Sequence, residues 1–227
     1  MKLCSQKKST VIATVLVALC VSACGSSDKI ISDMLDDIDT SEQATISYVN
    51  ALDSSTAFYT KSTVYPDNVY QNDHFVVELS SNQVSSAMNH EWINGAEQTE
   101  FAYEDGNSAN NQKKIIESLQ DGKKYWSLAW SHNGERELAL FEKNPTNESD
   151  KFKVRIFANA ELHISIHQQD ASSSTEMGEI STSFAIEACS DLQVGELPID
   201  LCQSANFGRS YLVVVDAQTG SVVIAQE

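Results

Sequence analysis

From Ala44 onward, apolar and polar positions alternate with a period of two, the spacing of strands that turn one face to a core. Ile46 and Tyr48 alternate with Thr45 and Ser47. Leu162, Ile164 and Ile166 alternate with His163, Ser165 and His167, and Phe184, Ile186 and Ala188 follow the same rule. Further strands are expected over residues 74–79, 99–103, 125–130, 135–141, 211–216 and 221–225, the last two rich in Val and Ile. Asn133-Gly134 and Thr219-Gly220 fall between paired strands, where hairpin turns belong. Only residues 111–119 carry the pattern of a short helix. The class is all-β.

Before Ala44 the pattern changes. Ile31, Met34, Leu35 and Ile38 share one helical face, with Asp33, Asp36, Asp37 and Asp39 around them. A short amphipathic helix and a frayed acidic linker both fit, because a helix this short is marginal alone. The aspartates lack the glycine and terminal glutamate of an EF-hand loop, so no calcium site is assigned. Further upstream, residues 10–23 are uncharged and follow Lys2, Lys7 and Lys8. The apolar stretch of residues 11–19 is too short to span a bilayer comfortably and has the length of a signal-peptide core.

The chain also echoes itself. Residues 45–51, ending in Asn50-Ala51, align with residues 154–160, ending in Asn159-Ala160, with Tyr48 and Phe157 at matching places. Gly122-Lys123-Lys124-Tyr125 matches Gly208-Arg209-Ser210-Tyr211, and a hairpin glycine follows each opening glycine by twelve residues, at Gly134 and Gly220. Two anchors in the same order predict a duplication, with one β-sandwich over residues 44–143 and a second over 152–227. A polar, proline-containing linker covers 144–151. The extra length of the first unit falls in residues 80–120.

Val21-Ser22-Ala23-Cys24-Gly25 closes the apolar stretch and resembles the bacterial lipobox, in which two small residues precede the cysteine that receives diacylglycerol. The competing reading is an ordinary secretory signal, or an uncleaved anchor, with a chance cysteine. The resemblance implies a signal peptide over residues 1–23, a lipidated acidic tether over 24–43, and a mature Cys24 carrying two thioether-linked chains and one amide-linked chain. Two or more chains anchor stably where one does not. In such families an Asp after the cysteine favours inner-membrane retention, and Gly25 is not Asp. The outer membrane is therefore the expected location, with the periplasmic or surface face left open.

Cleavage after Ala23 would remove three of the 15 Lys+Arg and none of the 32 Asp+Glu, taking the net charge from −17 to about −20. So acidic a body repels phosphate backbones and anionic head groups, which excludes nucleic acid as a partner and leaves the lipid as the membrane contact. Divalent cations are compatible with the charge, though no residue pattern supports one. With three prolines, nine glycines and 41% hydrophobic residues, the chain is a folding one. Cys4 and Cys20 leave with the signal. Cys189 and Cys202 remain and are expected to form a disulfide in an exported, oxidising context; no histidine lies near enough in sequence to complete a metal site.

The strand ending in Asn-Ala, the strand over residues 162–167 and the closing Gly-Lys/Arg-x-Tyr hairpin together resemble a secreted bacterial immunoglobulin-like β-sandwich family of unknown function, often found in tandem in lipoproteins. That resemblance implies two tandem antiparallel sandwiches and brings no catalytic residues. Nor does the sequence hold a nucleophile elbow, a Walker A loop, a zinc-protease helix or a free mature thiol. His163 and His167, with Glu161, Ser165 and Gln169, share one strand face and could hold a metal. An exposed polar face is the better reading, because side chains four residues apart along a strand stand about 13 Å from one another. One face of the strand around Trp126, Leu128 and Trp130 could offer aromatics to a glycan or protein, and filling a core is the competing role.

No catalytic residue, cofactor or metal ligand is assigned. The expected function is a non-enzymatic binding or structural role in the envelope, with a protein or a glycan as the candidate partner. The alternative is a hydrolytic or carbohydrate-active enzyme with a carboxylate site among residues 80–120.

Overall fold

The computed structural model describes residues 41–93, 98–106, 111–167 and 171–227. The signal stretch, Cys24, the tether with its 31–38 face, and Gln169 lie outside the described residues.

The first half contributes β1 (Ser41–Asn50), β2 (Thr56–Ser62), β3 (Phe75–Leu79), β4 (Gln83–Val84), β5 (Met88–Ile93), β6 (Gln98–Asp105), β7 (Gln112–Ser118), β8 (Lys124–His132) and β9 (Glu135–Glu142). The second contributes β10 (Phe152–Ala158), β11 (His163–Ile166), β12 (Ala171–Ser174), β13 (Phe184–Ile186), β14 (Leu192–Val194), β15 (Leu197–Ile199), β16 (Ser210–Val215) and β17 (Val222–Gln226). These strands build four sheets. Sheet I runs β4-β1-β8-β9, with β5 also on β1, and sheet II runs β3-β2-β6-β7. Sheet III runs β13-β10-β16-β17, and sheet IV runs β12-β11-β14-β15. The class is all-β, and among the described residues no sheet mixes strands from the two sides of residues 143–151.

The topology of the first pair of sheets recurs in the second. β1 pairs parallel with β8 and β10 pairs parallel with β16, while the remaining ladders are antiparallel. Both parallel ladders lie inside otherwise antiparallel sheets. The closing tyrosines have a common physical role. The Gln120 N–H donates to Tyr125 Oη at 3.1 Å, and the Asn206 N–H donates to Tyr211 Oη at 2.7 Å. In each half the tyrosine hydroxyl accepts from a backbone N–H five residues upstream. Gly122 and Gly208 make the turn before it with φ of 69° and 78°, which favours glycine.

The Asn-Ala echo is structurally one residue out of register. Ile46 lies opposite Tyr125, whereas Val154 lies opposite Tyr211. Ile46 therefore corresponds to Val154, and Asn50 to Ala158 rather than to Asn159. Because strand faces alternate, that single step reverses which side chains point inward. Tyr48 faces the first core, and Phe157, its sequence match, faces away from the second.

Three cores separate the four sheets. Between sheets I and II lie Ile46, Tyr48, Phe58, Phe101, Tyr103 and Ala129. Between III and IV lie Val154, Ile156, Ile164, Ile166, Leu192 and Val213. The third core is the seam between sheets I and III, where Trp126, Leu128 and Trp130 meet Phe157, Leu212 and Val214. The layer order is thus II, I, III, IV, and Thr40–Glu227 forms one compact body.

Two further expectations change. Residues 112–118 form the edge strand β7, not a helix. Residues 80–120 are not an appended insertion, since they supply β4 to β7, including β6 at the interior of sheet II.

The disulfide between Cys189 and Cys202 forms as expected, with its Cα atoms 4.9 Å apart. Cys189 follows edge strand β13 of sheet III, and Cys202 follows edge strand β15 of sheet IV, so the bond clips the two sheets together at one border. Reduction is expected to lower unfolding stability by about 3 kcal/mol, the chain-entropy value for a loop of this size. Urea melts with and without reductant measure it, and coincident curves would remove this role from the bond.

Candidate functional site

The seam opens at one border into a cleft of about 480 Å³. β8 lies between neighbours on both sides and is covered on both faces. Tyr125 and Ala129 face sheet II, while Trp126 faces sheet III. Beside Trp126 the chain leaves β9, which brings Lys143 over the indole with its ammonium 3.4 Å from the ring centroid. A cation over the face of a tryptophan is held by the ring quadrupole. The same ammonium donates to Ser47 Oγ at 2.8 Å. Burial pushes the Lys143 ammonium down to about 8. Glu227 acts in the opposite sense, and Lys124 reinforces the burial.

The carboxylate in this cleft is already engaged. Arg155 Nε donates to both Glu227 oxygens at 3.1 and 3.2 Å, and its terminal nitrogen also bonds Glu227. Trp126 Nε1 donates to Glu227 at 3.3 Å, and Arg155 reaches the Glu142 carbonyl at 3.0 Å. Charge and hydrogen bonds therefore reinforce the apolar seam. Ser47, Ser85, Lys124, Trp126 and Lys143 line the cleft with Glu227. The arrangement can bind, and it sets a hydroxyl, Ser47 Oγ, 2.8 Å from an amine of lowered pKa, Lys143.

At another place along the seam, Asp53 and Asp216 line a smaller cleft of about 180 Å³ with Arg136. Burial works against the Asp216 carboxylate. Hydrogen bonds from Asn159, from the Gln218 N–H and from Thr219 nevertheless hold its carboxyl below the ordinary range. Asn159 also donates to the Ser131 carbonyl at 2.9 Å, and His132 Nδ1 lies 2.9 Å from the Asn159 carbonyl, so this asparagine ties the halves together. Asn50 serves its own half instead, donating to the Ser54, Leu79 and Ser80 carbonyls.

His163 is exposed on β11, and His167 Nδ1 lies 3.1 Å from the Asp191 carbonyl, while Ile164 and Ile166 point into the core. Among the described residues no three His, Cys, Asp or Glu side chains gather as a metal site. Trp126 and Trp130 fill the seam rather than offering a surface. Trp92 faces the first core and donates its indole N–H to Glu42 at 2.7 Å.

Lys143, Ser47, Arg155 and Glu227 were not signalled by any motif. Ser47 lies within β1 and Arg155 within β10, while Lys143 and Glu227 follow the ends of β9 and β17. One sequence hint exists in hindsight: Arg155 shares its strand face with the apolar Phe157, a mixture that a freely exposed face does not require.

The depressed Lys143 value has a thermodynamic consequence. Between about pH 8 and the ordinary lysine value near 10.4, the unfolded chain holds a proton that the folded chain has lost. Stability therefore rises with pH across this window. Tyr48 and Tyr70, raised to about 12 by burial, oppose this above about pH 10, where the unfolded chain ionises first. Wild type is expected to gain stability relative to Lys143→Met as pH rises from 8 to 10 in denaturant melts. A constant difference would mean that Lys143 titrates as an ordinary lysine.

Compared with known proteins, the chain matches no protein-family model and no curated protein sequence.

Proposed function

We propose that this chain is a lipid-anchored lipoprotein of the bacterial outer membrane whose folded part, a pair of immunoglobulin-like sandwiches, is a non-enzymatic binding or structural module. The observation that carries this reading is the buried seam. Trp126, Trp130 and Phe157 fix the two sandwiches against each other, so loops from both halves are held in one orientation. Preorganisation of this kind lowers the ordering cost of binding. The buried ionic groups support the same reading, because they act as struts. Glu100 lies between Lys61 and Lys114, Asp105 meets Arg136, and Glu227 meets Arg155. The acidic composition supports a partner other than nucleic acid, with a protein or a glycan as the class to test.

A hydrolytic or carbohydrate-active enzyme is the second reading, and one observation favours it: Asp53 and Asp216 share a cleft. Glycoside hydrolysis needs one carboxyl kept protonated by an apolar setting. Asp216 is held ionised by its donors, and Asp53 is open to solvent beside Arg136. This pair lacks the proton donor.

Crosslinking in intact cells followed by mass spectrometry tests the binding role, and incorporation of labelled palmitate that depends on Cys24 tests the anchor. Enrichment of a specific partner with lipidated protein is the expected result. Repeated recovery of nothing above background counts against the binding role, and an unlipidated mature chain counts against the anchor. Hydrolysis of glycan substrates that is lost in Asp216→Asn would favour the enzyme.

A further inference from the structure

We propose that the seam cleft beside Lys143 binds a small anion, a carboxylate- or phosphate-bearing molecule of about sugar-acid size. The inference rests on the reading of the folded part as a binding module and names the ligand class for it.

The argument begins with the charge on Lys143. The residue is 9% exposed, and its ammonium meets a hydroxyl and an aromatic face. Among the described ion pairs none includes Lys143, although the chain carries 32 Asp+Glu. Its close carboxylate, Glu227, is occupied by Arg155 through two nitrogens. A buried ammonium is costly unless paired and hydrogen-bonded. An ammonium carries three donors and no acceptor; one goes to Ser47, and the neighbouring ring face takes no conventional hydrogen bond.

The surroundings suit an oxyanion. Lys124 also lines the cleft, so with Glu227 matched by Arg155 the lining is locally positive on a chain of net charge −17. Ser47 accepts from Lys143, which leaves its own hydroxyl proton available to a ligand oxygen. Thr45 and Ser86 add hydroxyl groups, and the wall formed by Val84 and Ile224 offers apolar contact. The volume of about 480 Å³ falls within the usual range of small-molecule sites, about 300–1,000 Å³. A polymer is not required to fill it.

Isothermal titration of the full chain in detergent with sodium glucuronate, with inorganic phosphate and with neutral glucose tests the inference. Saturable heat with glucuronate or phosphate at millimolar concentration, and none with glucose, is expected; the stronger of the two anions identifies the carboxylate or the phosphate arm. Lys143→Gln should weaken binding roughly tenfold or more, the loss from removing a hydrogen bond to a charged group. Lys123→Gln, an exposed change whose partner is Glu142, should leave binding unaltered. Ser47→Ala provides a second variant should Lys143→Gln not fold, and it should also weaken binding. Absence of heat with both anions, or equal affinity in wild type and both cleft variants, overturns the anion site. Partner recovery by crosslinking would stand or fall independently of that result.

Discussion

Replacing Phe157 by alanine is expected to cost about 3–5 kcal/mol and to split one unfolding transition into two. Phe157 is fully buried in the seam, with its ring 5.3 Å from Trp130 and 5.8 Å from Phe141, both in edge-on geometry. Truncation removes the transfer energy of the ring and leaves a cavity that two packed sheets cannot readily collapse. The location matters as much as the magnitude. Phe157 belongs to neither sandwich core, so its loss weakens the coupling between halves while leaving each inner core intact. Calorimetry of the full chain should show one cooperative transition for wild type and two for Phe157→Ala. A single transition in the variant would show that the seam does not couple the halves.

Glu227→Ala should lose a comparable amount, about 3–5 kcal/mol, because it removes one member of a buried ion pair and strands the other. The Glu227 side chain is 1% exposed and that of Arg155 13%, so water cannot easily replace the lost partner. Trp126 Nε1 would lose its acceptor as well. The double replacement Arg155→Met with Glu227→Leu separates the ionic contribution from packing. Exchanging a whole buried pair for apolar groups is often neutral or stabilising, so the double variant should be markedly more stable than Glu227→Ala. If the two variants melt alike in urea, the pair is not the source of the loss.

The strand framework was legible because most strands hold one face against a core and alternate accordingly. β7 was not. Ile115 and Ile116 are adjacent, and Lys113 and Lys114 precede them, a run that reads as a helical face. As an edge strand paired only to β6, β7 leaves Ile116 about half exposed, so burial does not enforce strict alternation. β8 and β16 were legible as strands, but their continuous burial on both faces was the overlooked sign of a seam. The tyrosines and glycines of the repeated hairpin carried true structural equivalence because they specify a turn. The Asn-Ala match did not, since its two asparagines bond different partners. The cleft was illegible for another reason: Ser47, Lys143, Arg155 and Glu227 are far apart in sequence, and only the stacking of sheets I and III brings them together.

The parallel pairing of β1 with β8 bears on how the body responds to mechanical load. β1 begins at Ser41. A pull there, directed along β1, would shear the ladder that spans Thr45–Asn50 and Lys124–Ala129, straining its bonds together rather than peeling them singly. Rupture in that geometry is set by an unfolding rate, not by an equilibrium. Under such a pull β1 is therefore mounted in its more tear-resistant orientation.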